Sequence, residues 1–465
     1  MAKLTFHGAT GQVTGSCYLL QTEAGRVVLE CGLFQGNPQT EKQNRRPFPF
    51  NPEEIDAVVL SHAHLDHSGR LPKLVKEGFR GKVYLTDATF DLLDLMLKDA
   101  AYLEIKDTEW ENKRRQRAGK KRVEPLYTLE DVDRILALRH AVAYGDEIDV
   151  LPGLQLKFHD AGHILGSAIV EIVIPDKGHH KTLVFSGDLG NCNSPLLRDP
   201  AILERADVLL LESTYGDRNH KSLENTLDEF REALASAYQS GGNVIIPSFA
   251  VGRAQDLIYW LGKFQRQRAL PQSQVFLDSP MAISASKIYA RHTGLFNKDD
   301  PEFLEIAPQG WRAWLSGLIY SESAEQSMGI NQLHGGAIII AGSGMCTGGR
   351  VRHHLKYNLW RREAHLIISG FQAEGTLGRQ IIDGAGMVKI LGGDVAVKAS
   401  VHTLGGLSAH AGQRQLLEWT KRFTVRRPRL YLVHGESGPM TALQSKFHER
   451  GWKANIPTPG ESITI

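Results

Sequence analysis

Three histidines and an aspartate fall within six residues in Ser61-His62-Ala63-His64-Leu65-Asp66-His67-Ser68-Gly69. Imidazole and carboxylate donors without a thiolate suit zinc in an open catalytic site rather than a closed structural one. In a tight strand-to-helix loop, His62 and His64 can converge on one metal. Asp66 and His67, a turn later, can reach a second metal beside it. Four such residues cannot fill two metal sites, so further ligands are expected on later strand ends. His163 in Asp160-Ala161-Gly162-His163 and Asp188 in Ser186-Gly187-Asp188-Leu189-Gly190 qualify. Both are flanked by glycines, which let backbone and metal approach closely.

These side chains need strands that end in one place. Val27-Val28-Leu29, the run at residues 57–60 and Val83-Tyr84-Leu85 read as strands, and the second runs straight into the His-rich loop. Phe90, Leu93, Leu97 and Ala101 recur at helical spacing behind Thr86, which predicts a helix capped by that threonine. From residue 208 the texture changes. Apolar runs at 208–211, 244–247, 275–277, 337–340 and 366–368 alternate with helical segments, the first carrying Leu223, Leu227, Phe230 and Leu234. Such alternation implies a parallel α/β sheet covered on both faces, whose strand carboxyl ends hold the ligand site. Those ends carry Glu212, Ser248, Asp278, Ser343-Gly344 and Ser369-Gly370. The loop Gly342–Arg350 opens a helix, and Ser343, Gly344 and Arg350 there are candidates for holding a substrate phosphate, with a plain turn as the alternative. His353-His354 is expected on the surface of that helix rather than at the metals.

At 465 residues, the chain is expected to form two or three domains, and 42 % hydrophobic with 23 % charged residues is the balance of a globular protein. No stretch is apolar enough for a membrane helix, and the N-terminus lacks a signal-peptide pattern, so neither membrane nor export is expected. Cys17, Cys31, Cys192 and Cys346 form no CxxC pair, which points to reducing cytoplasm. Net charge is only +2, so polyanion binding must come from local clusters. One cluster is the Lys/Arg-rich segment 107–125, either a solvated face or an RNA contact.

The order HxHxDH, Gly-flanked His, Gly-flanked Asp resembles the metallo-β-lactamase superfamily. Three further segments resemble the signatures of its nucleic-acid-processing β-CASP group: Leu211-Glu212-Ser213-Thr214-Tyr215-Gly216-Asp217, Gly406-Leu407-Ser408-Ala409-His410-Ala411 and Leu432-Val433-His434-Gly435-Glu436. Asp278-Ser279-Pro280, Gly342-Ser343-Gly344-Met345 and Gly375-Thr376-Leu377-Gly378 resemble that group's cap signatures, so the likeness covers essentially the whole chain. It is closest to the cleavage and polyadenylation endonuclease subunit and its shorter bacterial and archaeal relatives. The resemblance implies an α/β fold: a four-layer αβ/βα sandwich with an inserted parallel-sheet cap. The expected division is 1–207 and 402–465 for the catalytic domain and 208–401 for the cap.

The same resemblance assigns His62, His64 and His163 to one zinc and Asp66 and His67 to another. Asp188 then bridges the pair, and His434 completes the second shell. Two zinc ions per chain are thus expected at a site between the two domains, with a metal-bridging hydroxide as nucleophile. Phosphodiester hydrolysis needs that nucleophile, neutralisation of the phosphate and a proton for the leaving oxygen. Asp66, His410 and Glu212 are the candidate catalytic residues, with Glu212 beside His410 favouring its imidazolium. Within the family, His at the third signature accompanies RNA substrates, whereas DNA-repair members carry Val, so His434 favours RNA, single-stranded, cut internally rather than from an end. A DNA nuclease and a small-molecule metallo-hydrolase are the alternatives, and a homodimer stays open. Where the family carries a strand-end Asp, this chain has Glu30, one methylene longer, and a rearranged support for the His-rich loop is expected.

Overall fold

Short β-branched runs become strands here because they can be buried on both faces. Val27, Val28 and Leu29 are all inaccessible to solvent, as are Val58 and Val59. The computed structural model describes residues 2–192, 194–373 and 375–465. The chain folds as two compact units. The first combines the segment ending at Cys192 with Asp199–Asn219 and His410–Ile465; the second is mainly His220–Ala409.

The first unit is built on two seven-stranded sheets. In one, Gly25–Leu29, Ala57–Val59, Lys82–Leu85 and Arg139–Ala141 run parallel, continued by the antiparallel strands Tyr18–Thr22, Lys3–Phe6 and Ser462–Thr464. In the other, His179–Phe185, Val208–Glu212, Arg429–Val433 and Ala454–Asn455 are parallel, and Ala168–Asp176, Leu154–Asp160 and Glu147–Leu151 complete it as an antiparallel meander. Period-two side-chain alternation places Leu4, Phe6, Val27, Leu29 and Val59 of the first sheet in one core with Leu156, Phe158, Val170, Phe185 and Leu210 of the second. The opposite faces are apolar too. Val184, Leu209, Leu211 and Leu432 pack with Leu416, Leu417, Met440 and Phe447 from the helices Gln413–Thr420 and Ser437–Glu449. The helices Leu71–Lys76, Asp87–Arg117 and Leu129–Leu136 belong to the first sheet's half. Layers of helix, sheet, sheet and helix result, as expected of the sandwich.

Thr86 caps Asp87–Arg117 by accepting a hydrogen bond from the Thr89 N–H, so the predicted cap is present. The helix is longer than its apolar periodicity suggested and takes in half of the basic segment, because Lys, Arg, Gln and Glu are good helix formers and nothing breaks the run before Gly119, at φ +65°.

The second unit holds a six-stranded, all-parallel sheet in the order Leu318–Tyr320, Gln274–Asp278, Ala337–Ala341, Val244–Pro247, His365–Ile368, Ser400–Thr403. Ile338, Ile339 and Ile340 are each fully buried, which is why the strand reads as a continuous apolar run. No helix among the described residues is long and apolar enough to cross a membrane.

Candidate metal centre

Strand Ala57–Val59 delivers the chain to Ser61, where Glu30 takes hold of it. The Glu30 carboxylate accepts from the Ser61 N–H at 2.6 Å and the Ser61 hydroxyl at 3.0 Å, and sits 2.6 Å from His67 Nδ1. Glu30 is fully buried at φ +63°. Its extra methylene is thus absorbed by a carboxylate that bridges both ends of the His-rich loop. With Nδ1 on Glu30, the His67 ring presents Nε2 to the site, the usual arrangement behind a ligating histidine. The loop turns directly into the short helix Leu65–Ser68, and Gly32 is required beside it: a Cβ there would lie 1.6 Å from the Asp66 carbonyl oxygen.

Two groups of donors form. In the first, His64 Nδ1 is 3.2 Å from both His62 Nε2 and His163 Nε2. Asp188 Oδ2 lies 3.5 Å and 3.6 Å from those two Nε2 atoms. In the second, His434 Nε2 is 3.1 Å from His67 Nε2 and 3.3 Å from Asp66 Oδ2. Asp188 also reaches this group, with Oδ2 3.4 Å from His67 Nε2. His163 comes from the loop after Leu154–Asp160, Asp188 from the end of His179–Phe185, and His434 from the end of Arg429–Val433. Every metal-ligand position expected from the sequence is therefore brought together.

The spacing suits a divalent cation. Donors about 2.0–2.1 Å from one tetrahedral ion stand about 3.3 Å from each other, and the first group's contacts run from 3.2 to 3.6 Å. Asp188 Oδ1 is buried without a hydrogen-bond donor, although His434 Nδ1 stands 3.3 Å away. A buried carboxylate oxygen left in that state calls for a cation. Protonation agrees. Burial, with the neighbouring His67 charge, pushes His62 well below the ordinary histidine range, and burial likewise lowers His64 to about 4, against the pull of Asp66 and Asp188. Burial opposes ionisation of Asp188 too, yet the charges of His434, His67 and His62 hold it well below the carboxylate range. Neutral imidazoles and ionised carboxylates are the forms that bind metal. The free cysteines take no part: Cys31 is buried and its thiol is pushed up by that burial.

Beside the donors, His410 Nδ1 lies 3.3 Å from Glu212 Oε1 and 4.0 Å from Asp188 Oδ2. Glu212 has no solvent exposure and accepts the Leu189 and Thr214 N–H groups at 2.8 and 3.2 Å. Burial works against a charge on His410, but the Glu212 charge and hydrogen bond, with Asp188 and Asp66, lift it to about 9. Tyr215 stands edge-on to its ring at 6.0 Å. Thr214 and Ser61 lie inside the sequence motifs, and the structure gives each a contact that the motifs do not reveal. Thr214 Oγ1 lies 3.2 Å from His434 Nδ1, and Ser61 Oγ lies 2.9 Å from His62 Nδ1. The available signal was their placement next to, or two residues from, a metal or acid position at a strand end.

Ser343, Gly344 and Arg350 lie in the second unit. The Ser343 hydroxyl closes its own loop by accepting the Gly348 N–H at 3.1 Å, and Gly344 is needed because a Cβ would strike Phe249. Arg350 donates to Asp278 at 2.7 Å and to the Ser321 and Glu322 carbonyls. His354 departs from its expected surface position. It is fully buried, with Nε2 2.6 Å from Asp278 and Nδ1 2.9 Å from Asn331, because Val351, His354, Leu355 and Asn358 share the helix's inward face. His353 is exposed.

Comparison with known proteins agrees with this geometry. The family model of the metallo-beta-lactamase superfamily matches residues 10–236, that of the Beta-Casp domain 254–381, and that of the Zn-dependent metallo-hydrolase RNA specificity domain 394–457. Ribonuclease TTHA0252 of Thermus thermophilus is 41 % identical over 98 % of this chain and 99 % of its own length. Transcription termination factor FttA of Methanosarcina mazei is 32 % identical over 96 % of this chain and 69 % of its own. A solved structure from Enterococcus faecalis, of a protein of unknown function, shares the fold at TM-score 0.56 and 13 % identity, each chain fully covered. Signatures, sandwich and donor cluster converge with these matches, and the chain belongs to the β-CASP group of the metallo-β-lactamase superfamily.

Proposed function

We propose that this chain is a zinc-dependent ribonuclease that hydrolyses internal phosphodiester bonds of single-stranded RNA, with two zinc ions per chain. The observation that carries the reading is the position of Asp188, whose Oδ2 lies within 3.4–3.6 Å of imidazoles from both donor groups while His410 stands beside it. His62, His64 and His163 would hold one ion, Asp66, His67 and His434 the other, and Asp188 would serve both. Zinc bound there supplies Lewis-acid neutralisation of the phosphate and a water-derived nucleophile near neutral pH.

The chain's own groups do the rest. Glu30 fixes the His67 tautomer, and Thr214 does the same for His434. Glu212 orients His410 through Nδ1 and keeps it protonated, so Nε2 is the nitrogen that passes a proton to the leaving oxygen or donates to the phosphate. Ser343 and Gly344 remain candidates for holding the RNA backbone; Arg350 would have to act through its ordering of that loop.

RNA is favoured by His434 and by the names of the relatives, a ribonuclease and a transcription termination factor. The test is to incubate the zinc-loaded protein with end-labelled single-stranded RNA, a matched DNA and a lactam, and to map the product ends. Internal RNA products formed far faster than any other support the reading. Equal turnover of the DNA overturns the substrate, and product released only from one end overturns the internal mode.

A further inference from the structure

The basic segment is a built surface rather than a loose charged tail. After Gly119 the chain folds back along the helix Asp87–Arg117, and the fold-back is clamped. Asn112 donates to the Val123 carbonyl and accepts the Val123 N–H, both at 2.8 Å, while Arg115 Nε donates to the Lys121 carbonyl at 2.5 Å. Along one face of the helix lies an open groove of ≈ 670 Å³ lined by Asp107, Trp110, Glu111, Arg114, Arg115 and Lys120. Trp110 is 70 % exposed, an unusual state for an indole. Arg114 and Arg117 follow it on the same helix face, four and seven residues on.

Charge at this surface is mixed, with a positive surplus. Lys106 and Arg115 are paired with Glu109 and Glu111. Among the described residues, Lys113, Arg114, Arg117, Lys120, Lys121 and Arg122 have no carboxylate partner. A flat, exposed aromatic ring beside the unpaired cations Arg114 and Lys120 has the chemistry that binds single-stranded nucleic acid, bases stacking on the ring and phosphates meeting the cations. A second copy of this chain fits poorly, since a two-fold contact would press like charges together.

We propose that the Trp110 groove is an RNA-docking site separate from the donor cluster, an inference resting on the ribonuclease reading above. Helix geometry sets its reach. The helix starts at Thr86, whose hydroxyl donates to the Gly166 carbonyl three residues beyond His163. Trp110 is 24 residues along, about 35 Å at 1.5 Å per residue. A stacked strand rising about 3.4 Å per nucleotide along its axis spans that distance in roughly ten nucleotides. Long RNA therefore engages groove and donor cluster together, and short RNA cannot.

The test is fluorescence anisotropy of the full-length protein with cleavage-resistant 2′-O-methyl RNAs of 6 and 24 nucleotides. The wild type binds the 24-mer more tightly. Trp110→Ala weakens 24-mer binding about tenfold, the scale of one lost stacked base. Arg114→Ala combined with Lys120→Ala lowers the salt slope for the 24-mer by about two. No loss of 24-mer affinity in either variant overturns the groove while leaving the ribonuclease reading intact. A wild type that binds neither RNA overturns both. A change of oligomeric state in Trp110→Ala, read by light scattering without any change in 24-mer affinity, overturns RNA in favour of a second copy.

Discussion

Glu212 and His410 lie 198 residues apart in the chain and meet at 3.3 Å through Oε1 and Nδ1. Each is set by a different element: Glu212 ends the buried strand Val208–Glu212, and His410 leads into the helix Gln413–Thr420. His410→Ala is expected to keep the metal content and near-normal RNA affinity while lowering the single-turnover rate by about 10²–10⁴, the usual yield of a positioned acid. Glu212→Gln should show a smaller loss of the same kind. The double variant should cost little more than His410→Ala alone, since groups acting as one unit are not additive. Loss of metal from His410→Ala would assign it to coordination instead.

Asp188→Ala should empty both donor groups, because the same Oδ2 stands within 3.4–3.6 Å of imidazoles in each. Elemental analysis is expected to show about two zinc ions in the wild type and far fewer in the variant, with activity lost in step. A variant that keeps one ion and full activity contradicts a shared carboxylate. Chelating the wild type should also lower its melting temperature, since an ion bound only by the folded state stabilises it.

Glu30→Gln tests the support beneath the ligands. The carboxylate holds Ser61 and His67 at once, and an amide can satisfy only one of those two donors with its oxygen. A fall in metal affinity of about 10- to 100-fold is expected, measured by competition with a chromophoric chelator. Unchanged affinity would show that the His-rich loop holds its shape alone.

Asp278 makes the pH prediction. Burial opposes its charge, but donors from His354, Ser327, Ser321 and Arg350 hold it down to about 2. Its folded value lies below the ordinary one, so the stability it contributes is complete above about pH 4 and disappears as pH falls from there through about 2. A displacement of about two pK units is worth about 2–3 kcal/mol at neutral pH. Asp278→Asn should therefore lower unfolding stability by that order at pH 7, and the gap to wild type should narrow on acidification. Urea melts at pH 7, 5 and 3 check the sign.

The clustering of His and Asp side chains was legible because HxHxDH packs three imidazoles and a carboxylate into one loop, and the later members sit at strand ends marked by glycine. The parallel sheet of the second unit announced itself through runs such as Ile338-Ile339-Ile340. What escaped were properties set by distant partners. His354 reads as a surface histidine until Asp278, 76 residues away, is seen to claim it. Nor does the sequence show that the same carboxylate engages Arg350. Local periodicity cannot show which charges find each other across a fold.

Strand Ser462–Thr464 pairs with Lys3–Phe6, and His434 meets His67 from 367 residues further along the chain. This arrangement has a consequence for biosynthesis. His62, His64, Asp66, His67, His163 and Asp188 all leave the ribosome while the second unit is still being made, and His410 and His434 follow only after it. An RNA-cutting enzyme emerges beside the message that encodes it. If His410 and His434 act as proposed, the proton donor and one metal position arrive near the end of synthesis, and the nascent polypeptide passes nearly its whole time on that message without the means to cut it.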